Sequence, residues 1–126
     1  MRHGTVERRR ALYEEAKEII ESEYPNDLEL DQVARRLATS RRQLQRSFAE
    51  IGKTSFRSYV AEVRMQRALE LLQAGTMPVR DVAASVGYRQ PAQFAKTFRR
   101  HHGAPPSSFR GPHAGAPAAG DTSAPG

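Results

Sequence analysis

Cysteine is absent from the 126 residues. That excludes disulfides, thiolate metal sites and cysteine nucleophiles together. A run of about 18 apolar residues is also missing, so no segment is expected to span a membrane. The opening stretch MRHGTVERRRALYEEAKEII is charged and lacks the apolar core and small-residue cleavage site of a secretory signal. Phosphate-binding loops, dinucleotide fingerprints and nucleophile elbows do not occur, and no enzyme activity is expected. Histidines number four, but His101 and His102 are adjacent and point about 100° apart on a helix. His3 and His113 lie towards the two ends, and no carboxylate falls at ligand spacing. Neither a metal nor a cofactor is expected, and the default is a soluble cytoplasmic protein.

Acid is scarce over most of the chain. Residues 1–34 hold 5 Lys/Arg and 9 Asp/Glu, a net −4, whereas residues 35–110 hold 15 against 4, a net +11. Beyond them Asp121 is the one charged residue. The overall balance is +6 with a pI near 10.3, and its concentration in one stretch favours a polyanion partner, nucleic acid before membrane.

Apolar spacing is helical throughout, with no strand-period alternation, so an all-α chain is expected: one domain, or two very small ones. Leu12, Ala16, Ile19 and Ile20 mark a helix over 7–24, which YPND ends because proline removes a donor and disfavours helix just before it. Leu30, Val33, Ala34 and Leu37 mark a short second helix. Ser40 with Gln43 is a capping box opening a third, whose apolar residues are Leu44, Phe48 and Ile51 and which Gly52 closes. A longer helix runs from about Ser55 to Gln73, with Phe56, Tyr59, Val60, Val63, Ala68, Leu71 and Leu72 as its buried candidates. Val79, Val82, Ala83 and Val86 repeat the short pattern before Gly87. Pro91 then suits the first turn of another helix, and PPSSFR a last turn. Counted this way there are about seven helices. Residues 111–126, rich in Pro, Gly and Ala, are expected to form a disordered tail.

The chain repeats itself. Leu30, Val33, Ala34 and Leu37 return 49 residues later as Val79, Val82, Ala83 and Val86. Gln43, Leu44, Arg46 and Phe48 return 50 residues later as Gln93, Phe94, Lys96 and Phe98. Each copy is a short helix, a tight turn and a second helix with a basic outer face, which is the helix-turn-helix plan. A connecting helix of about 19 residues is roughly 28 Å long, against about 34 Å between successive major grooves on one side of B-DNA. One polypeptide is thus expected to supply two reading helices and to act as a monomer.

Ala34, Ser40, Leu44, Arg46, Phe48 and Gly52 in the first copy carry a resemblance to a known family. So do Tyr59, Arg64, Ala68, Leu71 and Leu72 of the connecting helix. The second copy adds DVAASVGY, Phe94, Phe98, Gly103, Pro106, Phe109 and Arg110. Residues 28–110 resemble the DNA-binding domain of AraC/XylS transcription regulators. The resemblance implies a bipartite helix-turn-helix fold, binding to double-stranded promoter DNA, and most often activation through RNA polymerase. Only 1–27 precede the match, as an N-terminal helix and lead-in expected to pack on the first subdomain. With no small-molecule ligand domain evident, the chain resembles the stand-alone members, in the cytoplasm at the nucleoid. Pro91 and Ala92 depart from the polar residues that usually start the family's second reading helix.

Arg42, Gln45, Arg46 and Ala49 form a stripe opposite Leu44 and Phe48. Arg can grip guanine O6/N7 and Gln can pair with adenine N6/N7; the plain alternative is a solvated basic face. Arg41 suits a phosphate contact, which positions without specifying. Lys96 matches Arg46 and suits phosphate or base contact, beside Ala92, Gln93 and Ala95. Arg99 and Arg100 suit backbone contact or solvation equally. Lys53 and Arg57 flank the start of the long helix, where amide groups also favour phosphate. Arg64 and Arg67 are expected to be structural or solvated. The leading expectation is a sequence-specific regulator; the alternatives are a nonspecific or architectural DNA binder and a protein adaptor that keeps the fold without DNA.

Overall fold

The computed structural model describes residues 2–111; the expected tail from residue 112 onward, with His113, lies outside them. Six α-helices occur among the described residues: α1 Arg2–Glu23, α2 Leu30–Arg36, α3 Arg41–Ser47, α4 Phe56–Ala74, α5 Val79–Ser85 and α6 Pro91–His102. A π-helical turn over Phe48–Gly52 extends α3, and a 3-10 turn covers Pro106–Phe109. No strand occurs among the described residues, and the chain is all-α as expected. Internal contacts divide it into two units between Val63 and Arg64, within α4.

In the first unit, Ala16 and Ile20 of α1 are buried with Val33 and Ala34 of α2, Leu44 and Phe48 at α3, and Phe56 and Val60 of α4. Phe48 is the centre of this core, with rings of Tyr13, Phe56 and Tyr59 at 5.1, 5.7 and 6.1 Å. Burying one such side chain contributes about 1.5–3 kcal/mol. Tyr59 also donates its hydroxyl hydrogen bond to Glu21 at 2.8 Å, tying α4 to α1. Burial, then this hydrogen bond, pushes the Tyr59 phenol well above its usual range. At the far end of α1, Glu23 accepts two hydrogen bonds from Arg36, at 2.8 and 2.7 Å, which hold its carboxyl below the usual range.

The second unit buries Met65, Ala68 and Leu72 of α4, Val82, Ala83 and Val86 in and just after α5, and Phe94 and Phe98 of α6. Rings run in a chain from Tyr88 to Phe94, Phe98 and Phe109, each 5.5–5.7 Å from the next. The His102 ring lies tilted against Phe98 at 4.5 Å, with Nε2 3.1 Å from the Met65 carbonyl oxygen. The Arg64 guanidinium lies over Tyr88 at 5.5 Å. At the end of this unit the Gly111 amide donates to Leu72 O at 2.8 Å. A Cβ there would stand 2.0 Å from Gln73 O, so only glycine fits.

Both tight turns use one hydrogen-bonding scheme. Thr39 N–H donates to Ala34 O and Tyr88 N–H to Ala83 O, each at 2.9 Å, closing the end of α2 and of α5 alike. The residue that turns left-handed is Gly87 in the second unit, with φ 102°, but Ala38 in the first, with φ 55°. Ser40 caps α3 by accepting from Gln43 N–H at 3.0 Å. In the second unit Gln90 stands before α6 and Pro91 fills its first position. Gly103, at φ 84°, ends α6 by donating to Arg99 O at 2.8 Å.

Helix α3 does not end as its sequence suggests. Gly52 does not supply the left-handed residue; Lys53 does, at φ 55°. The glycine is required for another reason: a Cβ at 52 would lie 2.5 Å from Tyr13 Cε1. Close approach of α1, not chain reversal, explains that residue.

Candidate nucleic-acid interface

The outer face of α3 is built by what its inner face must bury. Leu44 and Phe48 are fully buried, and the Ser47 hydroxyl, also buried, donates to Gln43 O at 2.9 Å. Positions 41, 42, 45 and 46 are thereby turned outward, and Arg41, Arg42, Gln45 and Arg46 are all exposed. Arg41 sits at the first helical position with Nη1 3.0 Å from Asp31 Oδ1. Ala49, the fourth member of the expected stripe, falls in the π turn, where bonding shifts from i→i+4 to i→i+5 and the helical stripe breaks. Lys53 and Arg57 are exposed beyond that turn, Arg57 in the first turn of α4, which Ser55 caps through Ser58 N–H at 3.0 Å.

On α6, burial of Phe94, Thr97 and Phe98 turns Ala92, Gln93, Lys96, Arg99 and Arg100 outward. Ala95 is half-buried, so the outward positions near the helix start carry a methyl group, an amide and one ammonium. Arg99 and Arg100 lie in the last turn, where the helix dipole favours cations. Near their starts the two faces thus differ in kind: α3 offers planar, directional donors from Arg42, Gln45 and Arg46, whereas the matching positions of α6 carry Ala92, Ala95 and the Lys96 ammonium.

Arg64 and Arg67 take structural partners: Arg64 lies over Tyr88, and Arg67 pairs with Glu70 at 2.9 Å, drawing that carboxyl below its usual range. The His101–His102 pair is explained by packing, since His102 is held against Phe98 and the Met65 carbonyl.

Two residues beside the α3 face escaped the sequence reading. Glu50, in the π turn, carries one carboxylate oxygen 4.0 Å from Arg46 Nε. Its other oxygen accepts from Arg9 Nη1 of α1. Arg9 and Glu50 are 41 residues apart, beyond the reach of any local spacing rule.

A family described as a helix-turn-helix domain matches residues 33–111. The Msm operon regulatory protein of Streptococcus mutans is 32% identical over 101 residues, covering 80% of this chain and 36% of that protein. Among solved structures, a transcriptional regulator from Chromobacterium violaceum with an AraC-type DNA-binding domain has a TM-score of 0.76 at 29% identity, covering 79% of this chain and 89% of that one. The DNA-binding domain of AdpA, a global transcriptional factor solved with a target DNA, shares the fold at a TM-score of 0.73 and 24% identity, over 78% and 88% of the two chains.

Proposed function

The chain belongs to the AraC-type family of helix-turn-helix transcription regulators, and we propose that it reads promoter DNA as a monomer with α3 and α6 in adjacent major grooves. The observation that carries this is the pairing, in each unit, of a fully buried aromatic back with an outward basic face on the second helix. The 19 residues of α4 match the length expected of the connecting helix. The AdpA domain, of the same fold, was solved bound to a target DNA, which supports the partner. Activation by contact with RNA polymerase, in the cytoplasm at the nucleoid, is the role the family implies.

Within this reading α3 supplies most of the specificity and α6 mainly affinity. Arg42, Gln45 and Arg46 make directed hydrogen bonds, each good bidentate pair giving about 1–3 kcal/mol of discrimination. Ala92 and Lys96 touch a thymine methyl and a phosphate without enforcing a base; Gln93, Arg99, Arg100, Arg41, Lys53 and Arg57 add contacts that position.

Selection of bound sequences from a randomised duplex library tests the proposal. Arg46→Ala should weaken the selected site far more than random DNA. Lys96→Ala should weaken both about equally and lower the salt slope by about 0.9, as losing one phosphate contact does. Ultracentrifugation should find one protein per site. An obligate dimer on a palindrome, or equal information under both helices, refutes it. A library that enriches nothing identifies the architectural alternative.

A further inference from the structure

Glu50 is out of place on electrostatic grounds. It is one of 4 carboxylates among 19 charged residues in 35–110, and it stands one turn past Arg46 at the end of α3. An anion there opposes DNA in two ways. It repels phosphate, and it competes with a base edge for the Arg46 guanidinium. An exposed i,i+4 pair of this kind is weak in the free protein, and it strengthens where DNA excludes water beside it. Bringing DNA beside it asks Arg46 to choose between the carboxylate and a guanine.

The geometry shows which arginine holds the carboxylate. Arg9 donates from Nη1 to Glu50 Oε1, whereas Arg46 Nε stays 4.0 Å from Oε2, beyond hydrogen-bond range. Arg9 keeps only 15% of its side chain exposed, against 51% for Arg46 and 49% for Glu50. The Arg9 Nε is buried without a partner, and Nη1 donates to Glu50. A half-buried cation held that way gives up its carboxylate at greater cost than an exposed one. Arg9–Glu50 is therefore the fixed pair and Arg46 the mobile member. Together the three groups carry one net positive charge, and they carry none once Arg9 is neutral.

We propose that Arg9, outside the helix-turn-helix itself, is a positioning residue for specificity: it occupies Glu50 so that Arg46 stays available to grip guanine. This rests on α3 being the base-reading helix. Without Arg9, Glu50 closes on Arg46, and the base under Arg46 loses its reader although α3 is intact.

The test compares wild type, Arg9→Met, Glu50→Gln and the double variant, each selecting sites from the same randomised duplex library. Arg46→Ala identifies the base position concerned as the one where preference collapses. Methionine at 9 keeps an apolar stem in place; Arg9→Gln is carried in parallel in case the methionine variant fails to fold. Arg9→Met should lose roughly tenfold in discrimination at that position, within the range one bidentate Arg–guanine contact supplies, with the other positions unchanged. Glu50→Gln should stay within about twofold of wild type, and adding it to Arg9→Met should restore the preference, whatever it does to melting temperature. Arg9→Lys, which retains a cation for Glu50, should read as wild type. A site selected by wild type and unaltered in Arg9→Met overturns the inference alone. So does a loss that Glu50→Gln fails to rescue, because Arg9 then acts by packing. A wild type that enriches no sequence overturns the functional reading and the inference with it.

Discussion

Gly52→Ala should destabilise the protein even though helix propensity argues the opposite. Gly52 lies in a helical turn and does not have a positive φ. Replacing such a glycine by alanine ordinarily stabilises by about 0.5–1 kcal/mol. Here the new methyl would meet Tyr13 Cε1, Cζ and Oη at 2.5, 2.7 and 2.8 Å. That ring has little room to withdraw: Phe48 meets it edge-on at 5.1 Å, Tyr59 lies at 6.4 Å, and the Lys17 ammonium sits 4.7 Å from its centroid. Overpacking of this kind costs about 1–3 kcal/mol, so the net expectation is a loss of roughly 1–2 kcal/mol after the propensity gain. Urea unfolding followed by circular dichroism, with the denaturant slope held constant, measures it. In a Tyr13→Ala background the clash is gone, and Gly52→Ala should become neutral or stabilising, a coupling of about 2 kcal/mol. An alanine variant at least as stable as wild type refutes the clearance argument. Equal losses in both backgrounds would assign the cost to the backbone of the π turn.

Ala38 adopts a left-handed conformation that costs a side-chain-bearing residue about 1–2 kcal/mol; Ala38→Gly should therefore stabilise by about 0.5–1 kcal/mol, read as a higher denaturation midpoint. Deleting residues 112–126 should leave stability unchanged on compositional grounds, whereas deletion from 111 also removes the Gly111–Leu72 hydrogen bond and should cost about 1 kcal/mol; equal stability of the two truncations would refute this. Tyr59→Phe should cost about 1 kcal/mol at neutral pH by removing the hydrogen bond to Glu21. Because the folded-state pKa of Tyr59 is raised, its contribution is complete below the unfolded value of about 10 and is lost as pH climbs past it. Unfolding curves of the two proteins should converge in alkali, and a constant gap would count against the shift.

Local signals in the sequence located the elements where a single residue performs a single task. Ser40 caps, Pro91 opens, Gly87 ends its short helix, and the repeated Val/Ala quartets face inward, each for a reason readable within a few positions. The same locality hid the rest. Nothing near residue 50 announces that bonding widens to a π turn, or that Lys53 and not Gly52 reverses the chain. Met65, only 1% exposed, sits outside the chosen apolar set. The first helix begins at Arg2 rather than near residue 7, running through Gly4 and Thr5. At the candidate interface the outward residues of α3 and α6 followed from periodicity, since burying Phe48 or Phe98 fixes what faces out. The Arg9–Glu50 contact did not, because it depends on how α1 lies against the end of α3.

The distribution of tyrosines makes the two units optically separable. The chain has 4 tyrosines and no tryptophan. Tyr13, Tyr24 and Tyr59 precede the division within α4, and Tyr88 alone follows it, packed against Phe94 and beneath Arg64. Tyrosine emission from a Tyr88→Phe protein therefore reports the first unit by itself, and the difference from wild type reports the second. A chain of two units is not bound to melt in one step. Intrinsic fluorescence can thus assign each step of a melting curve, or each ordering event on DNA, to its unit without an attached dye.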